Sequence, residues 1–408
     1  MTNVVVLHPS LCAVGGAEVL MVEQARLLSS LGASVRIRTA AYDAAYWGER
    51  LGSIEVEALA TGDAAGKRRA PRSPSDRRVR WLLRGLDGAK IAIAHNYPTS
   101  STLGASGASL TKIWYCHEPP RSLYPSEASP YLATNAERAP ERDGPRYYRT
   151  SLNGWFGALP LVGRRRPARL DADRRGVRGL DAVWANSEFT RDNVRRIYGS
   201  VPIDVLYPTV EISAAARRSR SSGEGFGLLT LTRLHAVKNL DTLLEGFAAF
   251  RARRDPRAEL HVVGDGPLRP LLERRVVTLR LHDAVTIHGF LGDSALEALS
   301  SRCDAFACLP LDEPFGMVFP EAMARGLLVL GPNHGGPLEI LDGGRLGEVV
   351  DPLAPEAIAE GLARIAALSD ADADARREAA ATSVKKRFSR KATTDRMTEL
   401  LRRHDPGF

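Results

Sequence analysis

The sequence predicts an α/β protein made of two doubly wound, parallel-sheet domains. Three observations carry this. Short β-prone apolar runs alternate with stretches of helical apolar spacing. The alternation occurs twice, and a small, polar, Gly/Ser-rich stretch, Ala214-Ala-Ala-Arg-Arg-Ser-Arg-Ser-Ser-Gly-Glu-Gly225, separates the two series. A length of 408 residues suits two or three domains at roughly 100–200 residues each. The expected division is 1–212, 213–385, and a closing helix over 386–408 that packs back on the first domain.

In the first series, Asn3–His8 reads as a strand followed by a Gly15-Gly16 turn. A helix from Ala17 then turns Leu20, Leu27, Leu28 and Leu31 toward a core until Gly32 ends it. Ser34–Thr39, Ile91–Ala94, Ile113–Cys116, Val183–Ala185 and Val205–Leu206 read as further strands. The second series opens with the strand Gly227–Thr232. Asn239 is a candidate N-cap for a helix carrying Leu240, Leu243, Leu244, Phe247 and Phe250, which Pro256 stops. Leu260–Val263, Val285–His288, Ala305–Leu309 and Leu327–Leu330 are strands. Helices are expected from Pro267, near Ala295–Leu299, and from Pro320 to Gly326. Strands separated by helices at this pitch form a parallel sheet covered on both faces.

Composition excludes several classes. With 44% hydrophobic and 25% charged residues the chain is neither disordered nor fibrous. Four cysteines, Cys12, Cys116, Cys303 and Cys308, form no C-x-x-C pair and no zinc spacing, so they read as structural thiols in a reducing compartment. The opening apolar run, Val4–Leu7, is too short for a signal peptide, and no stretch nears the ~20 apolar residues of a membrane span. A cytoplasmic location is expected. The net charge of +8 favours anionic partners. From Lys67 to Arg80, seven basic residues face one acid, Asp76, and Arg164-Arg-Arg166 lies in a Pro-, Tyr- and Arg-rich stretch over 118–175. These basic stretches, 61–80 and 118–175, read either as solvated loops or as contacts with an acceptor or an anionic membrane at the inner face. They lack the aromatic platform or recognition helix that nucleic acid would need.

Ligands of parallel α/β sheets bind at the carboxyl ends of strands, where helix N-termini also point. Gly15-Gly16 offers backbone N–H groups there. Arg233 and Lys238 stand in one strand–helix turn, a receptacle suited to a diphosphate. In Asp312-Glu-Pro-Phe-Gly-Met-Val-Phe-Pro-Glu321, two carboxylates, Glu313 and Glu321, flank a turn whose backbone presents donors from Phe315, Gly316, Met317 and Val318. That pairing suits a polyol held beside an anion. The plain readings are an exposed loop acid for Glu313 and dipole complementation for Glu321. Gly264-Asp-Gly266 begins a dinucleotide fingerprint, but Arg269 stands where the third glycine belongs. Asp171-Ala-Asp173 and Asp370-Ala-Asp-Ala-Asp374 are the acidic pairs a metal would use. Both are expected at helix starts or in linkers, so no metal is assigned.

The segment Glu313-Pro-Phe-Gly-Met-Val-Phe-Pro-Glu-Ala-Met-Ala resembles the signature of the family 4 retaining glycosyltransferases. Gly15-Gly16-Ala17-Glu18, Ala185-Asn-Ser-Glu-Phe-Thr190, Arg233-x4-Lys238, Val263-Gly-Asp-Gly-Pro267 and Gly335-Gly336 follow that family's order from near residue 3 to about residue 365. The resemblance implies a GT-B fold, two Rossmann-like domains facing across a cleft, with a nucleotide-sugar donor held mainly by the second. It implies that Arg233 and Lys238 hold the leaving diphosphate and that Glu321 takes the ribose hydroxyls. Glu313 would take the sugar 3- and 4-hydroxyls, while the backbone over 315–318 touches sugar and phosphate. Gly16 would close on the diphosphate, and Gly264, Gly266, Phe290 and Leu291 would line the base pocket.

His117, in Trp114-Tyr-Cys-His-Glu-Pro-Pro-Arg121, matches the histidine beside the reacting sugar. That stretch and Leu206-Tyr-Pro-Thr-Val210 look most like bacterial mannosyltransferases using GDP-mannose, although UDP-sugar enzymes share similar stretches. The expected reaction is retaining hexosyl transfer to a hydroxyl acceptor, lipid-linked or soluble, with neither metal nor cofactor. A nucleotide-sugar epimerase, a sugar phosphorylase, or a non-catalytic nucleotide-sugar or membrane-surface binding protein would share the fold.

Overall fold

The computed structural model describes residues 2–12, 15–61, 71, 73–84, 86–135, 137–138, 166–211 and 225–408. Lys67, Arg68, Arg69, Arg72, Arg164, Arg165 and the linker over 214–224 lie outside the described residues. The chain forms two compact units. One comprises Met1–Ala128, Leu159–Thr209 and Arg390–Phe408, the other Ser129–Ala158 and Val210–Ser389. Ser129–Asn135, placed by the sequence with the first domain, thus groups with the second.

The first unit holds a seven-stranded parallel sheet. Its strands are β1 (Asn3–His8), β2 (Ser34–Thr39), β3 (Glu55–Ala58), β4 (Ile91–His95), β5 (Thr111–Cys116), β6 (Ala182–Ala185) and β7 (Ile203–Val205). The order is β3-β2-β1-β4-β5-β6-β7. β4 and β6 are buried throughout, as strands covered on both faces must be. Leu7, Ala94, Trp114, Val183 and Tyr198 share one core. The helix Gly16–Ser30 buries Leu20, Met21, Leu27 and Leu28, while Leu31 is its half-buried C-cap rather than a core residue. The helix Arg390–Arg402 belongs to this unit. It buries Met397, Leu400 and Leu401, and Arg396 and Arg403 both hold Asp204 in β7.

The second unit has six parallel strands: β8 (Gly227–Leu231), β9 (Glu259–Val263), β10 (Val285–Gly289), β11 (Ala305–Ala307), β12 (Leu328–Pro332) and β13 (Glu348–Val350). Their order is β10-β9-β8-β11-β12-β13. The helix Leu240–Arg253 packs Leu243, Phe247 and Phe250 against Ile358 and Leu362.

Three expectations need correction here. β11 stops two residues short of Leu309, and the helix after it starts at Val318, ahead of Pro320. Proline is tolerated there because first-turn N–H groups have no intrahelical acceptor. Asn239 is not a side-chain cap. It adopts a left-handed backbone, accepts a hydrogen bond from the Thr242 hydroxyl, and donates to the Pro352 carbonyl at 2.7 Å. Among the described residues no helix is long and apolar enough to cross a membrane.

Candidate active site

The carboxyl ends of β8 and β11 bring together the strongest candidates in the second unit. Past β8, Arg233 is exposed and the 3-10 turn Ala236–Lys238 carries Lys238. Lys238 Nζ lies 2.5 Å from Glu313 Oε2, and both side chains are partly shielded from solvent. Asn239, buried and anchored to Pro352, fixes the turn from behind. The Leu311 N–H donates to the Val237 carbonyl at 2.8 Å, tying the two loops together. His235, between the two cations, is held below its usual value by desolvation and by repulsion from Arg233 and Lys238. The turn is electropositive, with one carboxylate reaching into it.

The loop bearing Glu313 is held by close backbone approach. Gly336 donates its N–H to the Glu313 carbonyl at 2.8 Å. A Cβ on Gly336 would stand 2.4 Å from the Pro314 carbonyl oxygen, so the Gly335-Gly336 pair serves loop packing. Phe315 is buried edge-to-face on Phe388. Its side chain is therefore core, and only its backbone remains for a ligand. Met317 is the N-cap and Val318 the first residue of the helix Val318–Ala324, and Gly316 precedes them with a positive φ of 92°. Glu321, in the first turn, is partly exposed and 3.9 Å from Arg325. Burial raises its carboxyl above the ordinary range, with Glu211 and Asp293 adding repulsion against the pull of Arg325.

Gly264 and Gly266 have a packing reason of their own. A Cβ on Gly264 would lie 1.9 Å from the Thr232 carbonyl oxygen, and one on Gly266 2.6 Å from that of Leu234. The two glycines let the β9 turn press against the Arg233 turn, so a ligand is not needed to explain them. Phe290, after β10, is 79% exposed, and Leu291 is half-buried. An apolar ring so exposed beside the ligand edge suits base stacking.

His117, Gly15 and Gly16 belong to the first unit and form a separate group. A Cβ on Gly16 would meet nothing within 4 Å, so packing does not explain this glycine. The N–H groups of Gly16–Ser30 open at that end. His8 ends β1, His95 ends β4 and His117 follows β5. His95 Nδ1 lies 3.0 Å from His117 Nε2, and His8 Nε2 lies 3.2 Å from Asn96 Nδ2. Asn186 donates to the His117 carbonyl at 2.9 Å. The sequence reading missed His8, His95, Asn96 and Asn186 as site neighbours. Their position at the ends of predicted strands was the available signal.

Burial pushes His8 down to about 4 and His117 to about 3, and holds His95 well below the usual value. The three rings are therefore neutral in the fold. On unfolding they regain values near 6.5. Below about pH 6.5 the unfolded chain then binds more protons than the folded one, and stability falls as the pH falls toward 4. With three rings the slope reaches at most about 4 kcal/mol per pH unit. Melting temperatures should hold near pH 7 and drop steeply below pH 6. A flat profile from 7 to 5 would contradict the buried neutral cluster.

The acidic pairs are structural. Asp171 and Asp173 lie in mid-helix within Arg166–Arg178, not at a helix start. Asp171 pairs with Arg175, and buried Asp173 accepts from the hydroxyls of Tyr124 at 3.0 Å and Tyr198 at 2.8 Å. Asp370 and Asp372 sit in the first turn of Asp370–Phe388, capped by Ser369. Among the described residues no group of three or more His, Cys, Asp or Glu side chains could hold a metal ion.

Comparison with known proteins decides the family. Residues 15–209 match the glycosyl transferase 4-like domain, and residues 212–382 match the glycosyl transferases group 1. The chain belongs to the family 4 glycosyltransferases. Solved structures similar to this glycosyltransferase in fold include two that span nearly all of it. Anabaena HepE in complex with UDP has a TM-score of 0.72 at 17% identity, covering 98% of this chain and 99% of that one. Sucrose-phosphate synthase from Thermosynechococcus elongatus has a TM-score of 0.74 at 16% identity, covering 100% of both.

Among curated relatives, mannosylfructose-phosphate synthase of Agrobacterium fabrum is 30% identical over 43% of this chain and 40% of its own. The GDP-mannose-dependent alpha-(1-6)-phosphatidylinositol monomannoside mannosyltransferase of Mycobacterium tuberculosis is 30% identical over 46% of this chain and 53% of its own. The chain thus spans about half the length of these two relatives, or less. The human alpha-1,3/1,6-mannosyltransferase ALG2 is 26% identical over 86% of this chain and 84% of its own.

Proposed function

We propose that the protein moves a hexosyl group, mannose from GDP-mannose first among the candidates, to an acceptor hydroxyl with retention of configuration. It needs neither a metal nor a cofactor in this reading. The observation that carries it is the Lys238–Glu313 pair beside Arg233 at the carboxyl end of β8. A diphosphate leaving group gathers negative charge as the sugar–oxygen bond breaks, and preplaced cations and N–H groups stabilise that charge. Lys238 turns to the diphosphate when donor enters, which frees Glu313 for the sugar hydroxyls. Glu321 holds the ribose, and His117 is assigned to the reacting sugar from the family motif in which it sits.

In the transfer step the bond between C1 and the phosphate oxygen breaks, and its electron pair leaves on the diphosphate. The acceptor oxygen bonds C1 on the same face, and its proton passes to a donor phosphate oxygen. The GDP-mannose preference draws on the mannosyltransferases among the relatives.

Thermal shift with GDP, UDP, ADP and NAD, each with and without EDTA, tests the donor. A ligand at 100 times its Kd adds about 2.7 kcal/mol to the stability of the folded chain. The expected result is a chelator-insensitive shift with GDP. Loss of the shift in EDTA would overturn metal independence, and no shift with any nucleotide would overturn the assignment. The anomeric configuration of the product, read by NMR, tests retention. The two carboxylates should separate kinetically: Glu321→Ala should raise the donor KM by about 10–100-fold, the worth of a charged hydrogen bond. Glu313→Ala should act mainly on kcat. Equal effects on both constants in both variants would undo that division.

A further inference from the structure

Ser129–Arg138 precedes the helix Arg166–Arg178 of the first unit in sequence, yet it is built into the second unit. Its short helix, Pro130–Asn135, stands over the loop that carries Glu313. Asp312, the residue before Glu313, is fully buried and has a positive φ of 52°. One oxygen of its carboxylate accepts the backbone N–H of Tyr131 at 3.0 Å and the other that of Leu132 at 2.8 Å. These are first-turn N–H groups that no intrahelical carbonyl can satisfy.

The Tyr131 ring stacks on His334, with centroids 3.7 Å apart and planes 4° from parallel. His334 Nε2 in turn accepts the Asp312 N–H at 3.1 Å. The Tyr131 hydroxyl donates to Asp351 Oδ1 at 2.5 Å, and Arg138 holds the other oxygen at 2.6 Å. Leu132 packs with Leu311 and Leu353. Asp312 is therefore fixed through backbone and side chain alike, in a backbone conformation that non-glycine residues seldom adopt without such support.

We propose that Tyr131 and Asp312 are positioning residues: a strap from the first half of the sequence clamps the loop that aims Glu313 at the donor sugar. This rests on the reading of Glu313 as the sugar-binding carboxylate. The clamp acts on the sugar end of the site, while the cation turn at Lys238 keeps an anchor of its own, Asn239 on the Pro352 carbonyl. It makes residues outside the donor-domain motifs a determinant of how the sugar is held.

The test uses the full chain with Tyr131→Ala, Asp312→Asn and Tyr131→Phe, the last keeping the stack on His334. Hydrogen exchange of peptides over 311–317, without ligand, should quicken about tenfold in the first two variants. The Phe variant should stay near wild type. Calorimetry with GDP and with GDP-mannose should show GDP affinity kept within about twofold. The further affinity that mannose adds should fall about fivefold or more.

Unchanged exchange in both disruptive variants would overturn the clamp. Equal weakening of GDP and GDP-mannose would overturn a positioning role in favour of a merely structural one. Should Tyr131→Ala not fold, Asp312→Asn decides by the same two readings. If wild-type protein binds neither compound, the functional reading fails, and the exchange measurement still decides whether the strap holds the loop.

Discussion

Lys238→Ala is expected to lower kcat/KM by about 10²–10³-fold, the loss seen when one preorganised charge-stabilising donor is removed. The size follows from how the side chain is held. Its turn is tied to Leu311 through Val237 and backed by the anchored Asn239, so the backbone stays fixed while the side chain turns from Glu313 to a diphosphate. Arg233, exposed on the same turn, is more strongly screened by water and salt and cannot replace it. The substitution also leaves Glu313 without its 2.5 Å partner, which makes the pocket more repulsive to an anionic donor. Steady-state kinetics with GDP-mannose, beside a melting curve showing an intact fold, would measure this. A change under about threefold would remove Lys238 from the transition state.

Gly264→Ala is expected to give the largest loss of stability. The residue has a φ of 124°, and its missing Cβ would sit 1.9 Å from a backbone oxygen. A left-handed conformation costs an L-residue about 1–2 kcal/mol, and overpacking against an immovable neighbour about 1–3. The sum, about 2–5 kcal/mol, corresponds to a melting temperature lowered by about 5–15 °C for a unit of this size. Gly16→Ala is the matched control, because its Cβ would meet open space. Its melting point should stay within about 2 °C of wild type while nucleotide affinity falls. A small shift at Gly264 would show that the β9 turn can give way, and a large one at Gly16 would place that glycine in packing.

These two glycines show why some of the site was legible in the sequence and some was not. Both stand at strand–helix turns and read alike as letters; only the distance to Thr232 marks Gly264 as a packing glycine, while Gly16 has open space beside it. β1 and β2 were readable to the residue because an apolar run in one and an alternating pattern in the other were bounded by clear turns. β3 and β13 were not, since Glu55-Val-Glu-Ala58 and Glu348-Val-Val350 are too short to show a period, and their strand character comes from pairing with β2 and β12.

Lys238, Glu313 and Glu321 stood out because charges at a ligand edge are uncommon. Asp312 and Tyr131 did not, because their partners lie 181 residues apart in the chain. Nothing local in Ser129–Asn135 reveals which sheet it joins. The histidine cluster shows the same limit: each ring ends a strand singly, and only the order β1-β4-β5 makes them neighbours.

The routing of the chain has a consequence for how the protein is made. The first unit includes Arg390–Phe408, a segment translated after the whole of the second unit. Its sheet is complete by β7, yet the helix that binds Asp204 emerges only after the whole second unit has been translated. At about 5–20 residues per second that interval is on the order of 10–40 s. During it the surface later covered by Met397, Leu400 and Leu401 is open, and a nascent chain stalled between residues 209 and 390 carries an unfinished first unit. The first unit cannot be completed until the second has been made.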